Sequence, residues 1–449
     1  MNGTFDAVIV GAGPAGSSAA ILLARAGWSV ALVEKQRFPR RKVCGECVAA
    51  SNLPLLAALG LGPAFAAAAG PELRRVALLR GEREVVAELP GAADARHRWG
   101  RALGRETLDT LLLEQARTAG AQVLQPWSVQ AIDGAPGGWH CEVRTVDGGA
   151  ALTLHARLVI DAHGSWEPLP SARPRRRQAR SAADLFAFKA NFRGAALAEG
   201  VLPVLALDGG YGGMVVADGG LTTLACCVRG ARLDACRRAA PGLRAGEAVE
   251  AWLRRECGGV RAALREAVRE GPWLAAGPLD PGVRVDGGGG VLRIGNAAGE
   301  AHPIIGEGMS MALQSAWLLC AQLLDPAPHG APLGSPLGPA WQHEAGRRYA
   351  VQWRRQFAPR LRLAAAFAQL AMRPATATPL MALARAWPGL LTLGARWGGK
   401  ARGGVDPATI ARLTAYRMSA DVSADAPADA SNPAPTFSHA CAPQPRGTT

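Results

Sequence analysis

A glycine-rich turn between a buried strand and a small-residue helix constrains this chain more than any other feature. Phe5-Asp6-Ala7-Val8-Ile9-Val10 is an apolar run that breaks into Gly11-Ala12-Gly13-Pro14-Ala15-Gly16, and Ser17 to Ala26 then read as a helix ended by Gly27. Strand, Gly-x-Gly-x-x-Gly and helix in that order bring backbone N–H groups and the positive end of a helix dipole up to a pyrophosphate. A second strand, Trp28 to Val33, ends in Glu34. That acid stands about twenty residues past the last glycine, where a carboxylate accepts from ribose hydroxyls. In a chain with 55 glycines the pattern alone would say little. The strand before it, the helix after it and the acid at the right distance make it a dinucleotide turn.

With 449 residues, 49% of them hydrophobic and 19% charged, the chain can bury a large core and is not disordered as a whole. Nine cysteines at irregular spacing, with no secretory leader before them, predict a reducing cytoplasm rather than a disulfide framework. No run of about 20 clean apolar residues offers a membrane span. The excess of 50 Lys+Arg over 36 Asp+Glu, +14 in all, is the open question, because it suits nucleic acid, anionic lipid or a phosphate-bearing ligand.

The next informative segment is Phe38-Pro39-Arg40-Arg41-Lys42-Val43-Cys44-Gly45-Glu46-Cys47. Cys44-x-x-Cys47 has a metal-ligand spacing, yet neither a second such pair nor a nearby histidine pair completes a zinc site. Taken together, Gly-x-Gly-Pro-Ala-Gly, the acid Glu34 and Lys42-x-Cys44-Gly45-Glu46 resemble the geranylgeranyl reductase branch of flavoproteins, within the superfamily typified by para-hydroxybenzoate hydroxylase. The resemblance implies a noncovalently bound FAD, touched by Gly11, Gly13, Ala15, Gly16, Glu34, Lys35, Lys42, Cys44 and Gly45. It also sets Cys44 beside the isoalloxazine, where a thiol would give a proton to substrate. A buried small hydrophobe is the plainer reading for Cys47 and for Cys226-Cys227.

Three distant elements extend the resemblance. Arg105, Leu108 and Asp109 match an Arg-x-x-Leu-Asp helix start whose arginine the family turns toward the cofactor's phosphates and ribose. Leu158 to Gly164 resembles a later strand ending in Gly-Ala-Asp-Gly, with Asp161 and His163 displaced from the pattern, which weakens any expectation of a nicotinamide site. Gly290 to Met309 resembles the Gly-Asp-Ala-Ala...Pro...Gly-x-Gly element, with Asn296 in place of the acid. There the resemblance implies cofactor contacts from Gly295, Asn296, Pro303, Gly306, Glu307, Gly308 and Met309. A helix start at that place stabilises an anionic reduced flavin through its unpaired N–H groups.

Between these elements, Leu73–Leu79, Glu84–Leu89, Leu185–Phe192, Val201–Leu207 and Leu221–Val228 alternate like strands of a half-exposed antiparallel sheet. Phe186, Phe188, Ala190 and Phe192 share one face, either a cavity wall or ordinary core. Gly209-Gly210-Tyr211-Gly212-Gly213 punctuates this sheet, and Tyr211 either bonds a substrate or caps a hairpin. The expected fold is α/β: a Rossmann-like FAD-binding domain (1–70, 101–170, 275–330) interleaved with a mixed or antiparallel substrate sheet (71–100, 171–274), a C-terminal helical region (331–417) and a disordered tail (418–449). In the helical region, arginines and tryptophans beside apolar faces suit a membrane-surface dock or a packed lid. A basic run, Arg173–Arg180, reads as a loop that binds either a diphosphate or nothing.

Functionally, the resemblance implies reduction of a carbon-carbon double bond in a polyprenyl or lipid-like substrate, with Cys44 and Tyr211 as catalytic residues and NAD(P)H or another reductant as electron source. The alternative is an FAD monooxygenase acting on an aromatic or quinone-like ring. Flavin halogenation is set aside, because Trp-x-Trp-x-Ile-Pro is absent from the sequence. A nucleic-acid-binding protein ranks last, since no binding motif supports it. The place of action expected is the cytoplasm, with contact at the cytoplasmic face of a membrane.

Overall fold

The computed structural model describes residues 3–165, 169–170, 181–286, 288–325, 338–398 and 404–424. The chain opens with β1 (Gly3–Val10), α1 (Pro14–Arg25), β2 (Val30–Val33), β3 (Cys47–Val48), α2 (Leu53–Ala58) and α3 (Gly62–Ala68). Next come the hairpin β4 (Arg75–Arg80) and β5 (Arg83–Glu88), then β6 (Arg101–Ala102), α4 (Arg105–Thr118) and β7 (Gln122–Leu124). A ribbon of β8 (Trp127–Ala135), β9 (Gly138–Thr145) and β10 (Ala151–Asp161) leads into β11 (Leu185–Arg193), β12 (Val201–Leu207), β13 (Gly210–Val216) and β14 (Thr222–Arg229). After α5 (Gly230–Ala239), α6 (Ala245–Glu256) and α7 (Gly258–Ala263) follow β15 (Val268–Ala276), β16 (Gly282–Val283), β17 (Leu292–Arg293) and β18 (Gly299–Glu300). The chain continues through α8 (Gly308–Leu323), α9 (Pro339–Met372), α10 (Pro374–Ala386), α11 (Gly389–Trp397) and α12 (Pro407–Ala424).

Two sheets carry the fold. The first has the order β7-β2-β1-β10-β9-β8, with β17 also on β10. β1 is parallel to both β2 and β10, so Val8 and Ile9 are enclosed on both faces and the run reads as continuously apolar. β10 does double duty: its first residues pair antiparallel with β9, and Ile160 and Asp161 pair parallel with β17. The second sheet, β15-β11-β14-β13-β12-β4-β5, combines strands from two separate stretches of sequence, joined by the parallel pair β4 and β12.

Each sheet has its own core. Behind the first, α1 and α8 pack with Trp317, Tyr349, Trp353 and Phe357 into one buried cluster. Behind the second, Phe188, Ala190 and Phe192 pack against Trp252, Leu253 and Val260 of α6 and α7. The shared phenylalanine face is therefore chiefly core. The segment expected to punctuate this sheet is instead strand β13, in its middle. A Cβ on Gly210, Gly212 or Gly213 would stand within 2.9 Å of a neighbouring carbonyl oxygen, so glycine is what lets the strands lie this close. Residues 407–424 form α12, which carries the helix beyond the boundary at 417 read from composition. The basic run Arg173–Arg180 and residues 425–449 lie outside the described residues. Among the described residues no helix is long and apolar enough to cross a membrane.

Candidate active site

The turn after β1 is built around glycine. Gly11 has φ +100° and donates its N–H to the Val33 carbonyl at 2.8 Å, which holds the turn against β2. A Cβ on Gly16 would lie 1.8 Å from the Gly11 oxygen, so α1 can start here with glycine alone. Gly13 differs: its backbone is ordinary extended geometry, and a Cβ there would point at the guanidiniums of Arg105 and Arg40, at 3.7 and 3.9 Å. Glu34 lies under the turn and accepts from the N–H groups of Ala12 and Gln36, both at 2.9 Å. The carboxylate predicted to meet a ribose thus also braces the turn itself.

Over Gly13 the charges do not balance. Arg105 makes two 2.7 Å hydrogen bonds to buried Asp109. Arg40 lies 3.4 Å from Asp109 and 4.0 Å from Glu34. Lys42 points its ammonium toward Gly164, where a Cβ would be 3.2 Å away. Three cations here face two carboxylates. Burial, and then the charges of Arg105 and Arg40, push the Lys42 ammonium down to about 8, against the pull of Asp109 and Glu34. Burial likewise lowers Arg40, whose Nε is buried without a hydrogen-bond partner among the described residues. Burial works against the Arg105 cation too, yet Asp109 outweighs it and holds its pKa above the ordinary value. A diphosphate over Gly13 would supply the missing negative charge.

The Cys44-Gly45-Glu46 loop joins this cradle to the second sheet. Glu46 takes a left-handed backbone, φ +59°, rare for a residue with a side chain. Its buried carboxylate accepts from the Arg105 N–H at 3.0 Å, from the Lys189 ammonium on β11 and from the Thr223 hydroxyl on β14. Cys44 is half-buried; its sulfur accepts from the Glu46 N–H at 3.3 Å and pairs with the Arg105 guanidinium. Sequence reasoning assigned no role to Glu46, Lys189 or Thr223. Lys189 does carry a signal, being a lysine set directly between Phe188 and Ala190 in a largely apolar strand.

Opposite the cradle, the distal glycine element closes the site. Gly295 has φ +59°, donates to Ser315 Oγ at 2.8 Å and would bring a Cβ to 2.9 Å from that of Ala15. Asn296 donates to Ser165 Oγ at 2.7 Å. Pro303–Ile305 make a single tight turn, Gly306 adopts φ 62°, and α8 then starts with no side-chain cap and with Gly308 and Met309 on the cavity wall. Asp161, displaced from the family's pattern, is an internal anchor: its carboxylate holds the His163 ring and lies 3.6 Å from Arg293.

One cavity of about 590 Å³ connects these parts. Of the sequence-predicted residues, Gly13, Ala15, Lys42, Cys44, Gly45, Arg105, Tyr211, Gly295, Asn296, Pro303, Gly306, Gly308 and Met309 line it. Gly11, Gly16 and Glu34 support its wall from behind. Lys35 and Glu307 are not on the wall, and Glu307 is buried at the start of α8, 3.2 Å from Arg360. Tyr211 is not a hairpin cap: it sits in β13 opposite Ala206 and Cys227, 1% exposed. Its hydroxyl contacts Cys227 and lies 3.5 Å from His302 Nδ1. Burial, then Cys227, raises the phenol well above 10, while burial and Arg229 lower His302, so near neutral pH both are uncharged. Beyond Tyr211 the cavity floor is apolar, formed by Val76, Leu78, Leu202 and Val204, and its roof is α10 and α11. Among the described residues no group of three His, Cys, Asp or Glu comes together to hold a metal ion.

A cationic cradle on one sheet, facing an apolar chamber floored by another, defines the class: a two-sheet protein built to hold an anionic ligand against an apolar one. The chain belongs to the FAD binding domain family, which matches residues 4–330, and it is an FAD-dependent flavoenzyme. The menaquinone reductase of Mycobacterium tuberculosis is 33% identical over 164 residues, 36% of this chain and 38% of that protein. A 1H-pyrrole-2-carbonyl-[peptidyl-carrier protein] chlorinase of Pseudomonas fluorescens is 29% identical over 185 residues, 36% of this chain and 39% of that protein. The chain thus matches well under half the length of these relatives. In fold it is similar to the myxobacterial chondrochloren halogenase CndH (TM-score 0.69, 19% identity, 93% of this chain, 97% of that one). A geranylgeranyl bacteriochlorophyll reductase-like protein of Thermoplasma acidophilum is also similar (TM-score 0.59, 16% identity, 88% of this chain, 100% of that one).

Proposed function

We propose that this flavoenzyme reduces a carbon-carbon double bond in a lipophilic substrate bearing a polyprenyl chain, such as a prenylated quinone. The observation that carries the proposal is the continuity of the cavity, from the cationic cradle past Tyr211 into an aliphatic chamber under α10 and α11. The partial likeness to a menaquinone reductase supports the same substrate class. The cationic groups Arg40, Lys42 and Arg105 would hold the cofactor's diphosphate, and the α8 start with Gly306 and Gly308 would face its ring. Reduced FAD supplies the hydride in such a reaction.

The chain's own part is to orient the double bond, keep water out and deliver one proton. Aliphatic side chains do the first two. For the third, Tyr211 is the better placed donor, being an uncharged phenol on the cavity wall with the neutral His302 imidazole behind it to relay a proton taken from solvent at its other ring nitrogen. Cys44 is engaged as an acceptor by the Glu46 N–H and by Arg105, so in this proposal the proton role implied by family resemblance passes to Tyr211, and Cys44 positions Arg105.

The test is an anaerobic single turnover of the reduced, FAD-loaded protein with a prenylated naphthoquinone, followed by product mass. Gain of two hydrogens in the side chain is expected. An unchanged side chain, with an oxygen atom gained once air is admitted, would replace this proposal with the monooxygenase alternative.

A further inference from the structure

We infer that α10 and α11 dock this enzyme on the surface of an anionic phospholipid bilayer, with the cavity entrance toward the lipid. These two short helices face two ways. Their inner sides, with Leu380, Ala384, Leu391 and Leu393, line the cavity. On the outer side Leu383 and Trp387 are 52% and 59% exposed, among the most exposed large apolar side chains of the described residues, and Trp397, 61% exposed, stands at the cavity rim. Tryptophan and leucine on the outside of a thin amphipathic roof are the residue types that settle at the headgroup boundary.

Charge selects the occupant. From Ala345 to Val405 the sequence contains no Asp or Glu and eleven Arg or Lys, so most of the chain's +14 excess falls in this one segment. Some of these arginines serve the fold, as Arg354 with Asp286 and Arg360 with Glu307. Arg373, Arg385 and Arg396 are exposed on α10, α11 and the residue before them. Exposed arginines interleaved with exposed tryptophan and leucine, with no acid along the segment, complement a negatively charged lipid surface. Thr392 also donates to the Glu88 carbonyl at 2.7 Å, which fixes α11 on the edge strand β5, so the roof is held at its inner side and free at its outer one. That the docked face admits substrate rests on the lipophilic-substrate reading above; the docking itself does not.

The test is flotation of the full-length, FAD-loaded protein with vesicles of phosphatidylcholine alone or mixed with phosphatidylglycerol, at about 0.1 M salt. Binding to the anionic vesicles and little to the neutral ones is expected. At about fivefold per arginine near a charged membrane, Arg373→Gln/Arg385→Gln/Arg396→Gln should weaken partitioning about 100-fold, and Leu383→Ala/Trp387→Ala about tenfold or more. Both variants should retain the flavin spectrum and turn over a detergent-solubilised substrate at the parent rate. Equal binding to both vesicle types, no flotation at all, or a stable dimer in solution that covers Leu383 and Trp387 would overturn the inference. Anionic flotation with no reduction of any prenylated substrate would leave the docking standing and remove the proposed function instead.

Discussion

Removing the Lys42 ammonium should change both how tightly FAD is held and how that affinity depends on pH. In the cofactor-free fold, burial and the neighbouring cations Arg105 and Arg40 lower this ammonium to about 8. A bound diphosphate would pair with it and return its pKa toward the ordinary 10.4 of lysine. The sign follows from which state binds more protons. Below pH 8 the ammonium is charged with or without FAD, and affinity is flat; above pH 8 the free protein carries a neutral amine and must take up a proton on binding, so affinity falls. Between pH 7 and 9 the dissociation constant should rise about tenfold. At pH 7, Lys42→Met loses a charge-assisted phosphate contact of about 1.5–3 kcal/mol, or roughly 10- to 100-fold in affinity. The same variant should have no slope between pH 7 and 9. Titrating apoprotein with FAD by flavin fluorescence at several pH values reads both effects, and Lys35→Met, off the cavity wall, serves as the control. Parallel pH profiles for Lys42→Met and the parent, or a Lys35→Met variant that weakens as much, would refute the cradle assignment.

Three further outcomes follow from the same geometry. Gly13→Val should fold with parent-like circular dichroism yet lose FAD, because its side chain enters the cradle, whereas Gly16→Ala should lose the folded state; FAD retained by Gly13→Val would displace the diphosphate from this place. Tyr211→Phe should slow anaerobic single turnover about 100-fold with flavin in place, and Cys44→Ser less than fivefold; the reverse ranking, by stopped-flow flavin absorbance, would return the proton role to Cys44. Glu46→Gln leaves the Lys189 cation buried without its carboxylate and should cost about 3–5 kcal/mol in urea unfolding, with much of that recovered in Glu46→Gln/Lys189→Met. A single variant within 1 kcal/mol of the parent would show that the pair does not tie the two sheets together.

The glycine-rich half of the cavity was legible in the sequence because its constraints are local. Gly11, Gly13 and Gly16 are dictated by a turn of six residues, and Gly295, Gly306 and Gly308 by one strand-to-helix passage, so spacing alone exposes them. Arg105 was legible from its helix start for the same reason. The joint between the sheets was not: Glu46, Lys189 and Thr223 are 143 and 177 residues apart in sequence from the acid outward, and their contact exists only once β11 and β14 lie beside the Cys44 loop. Tyr211 was found, but its glycine neighbours read as a turn when they permit close strand packing at the centre of a sheet. Glu307 fits the glycine-rich pattern by position, yet its carboxylate turns inward to Arg360, a direction that spacing does not encode. The charge excess, ambiguous as a total, divides in space between the cationic cradle over Gly13 and the acid-free helices.

The most direct measurement is a crystal structure of the FAD-loaded protein with a prenylated naphthoquinone bound. The diphosphate is predicted between Gly13 and the cations Arg40, Lys42 and Arg105, with the prenyl chain past Tyr211 beneath α10 and α11. A diphosphate elsewhere, or a prenyl chain that leaves the chamber between Leu78, Val204 and Leu391 empty, would contradict the account.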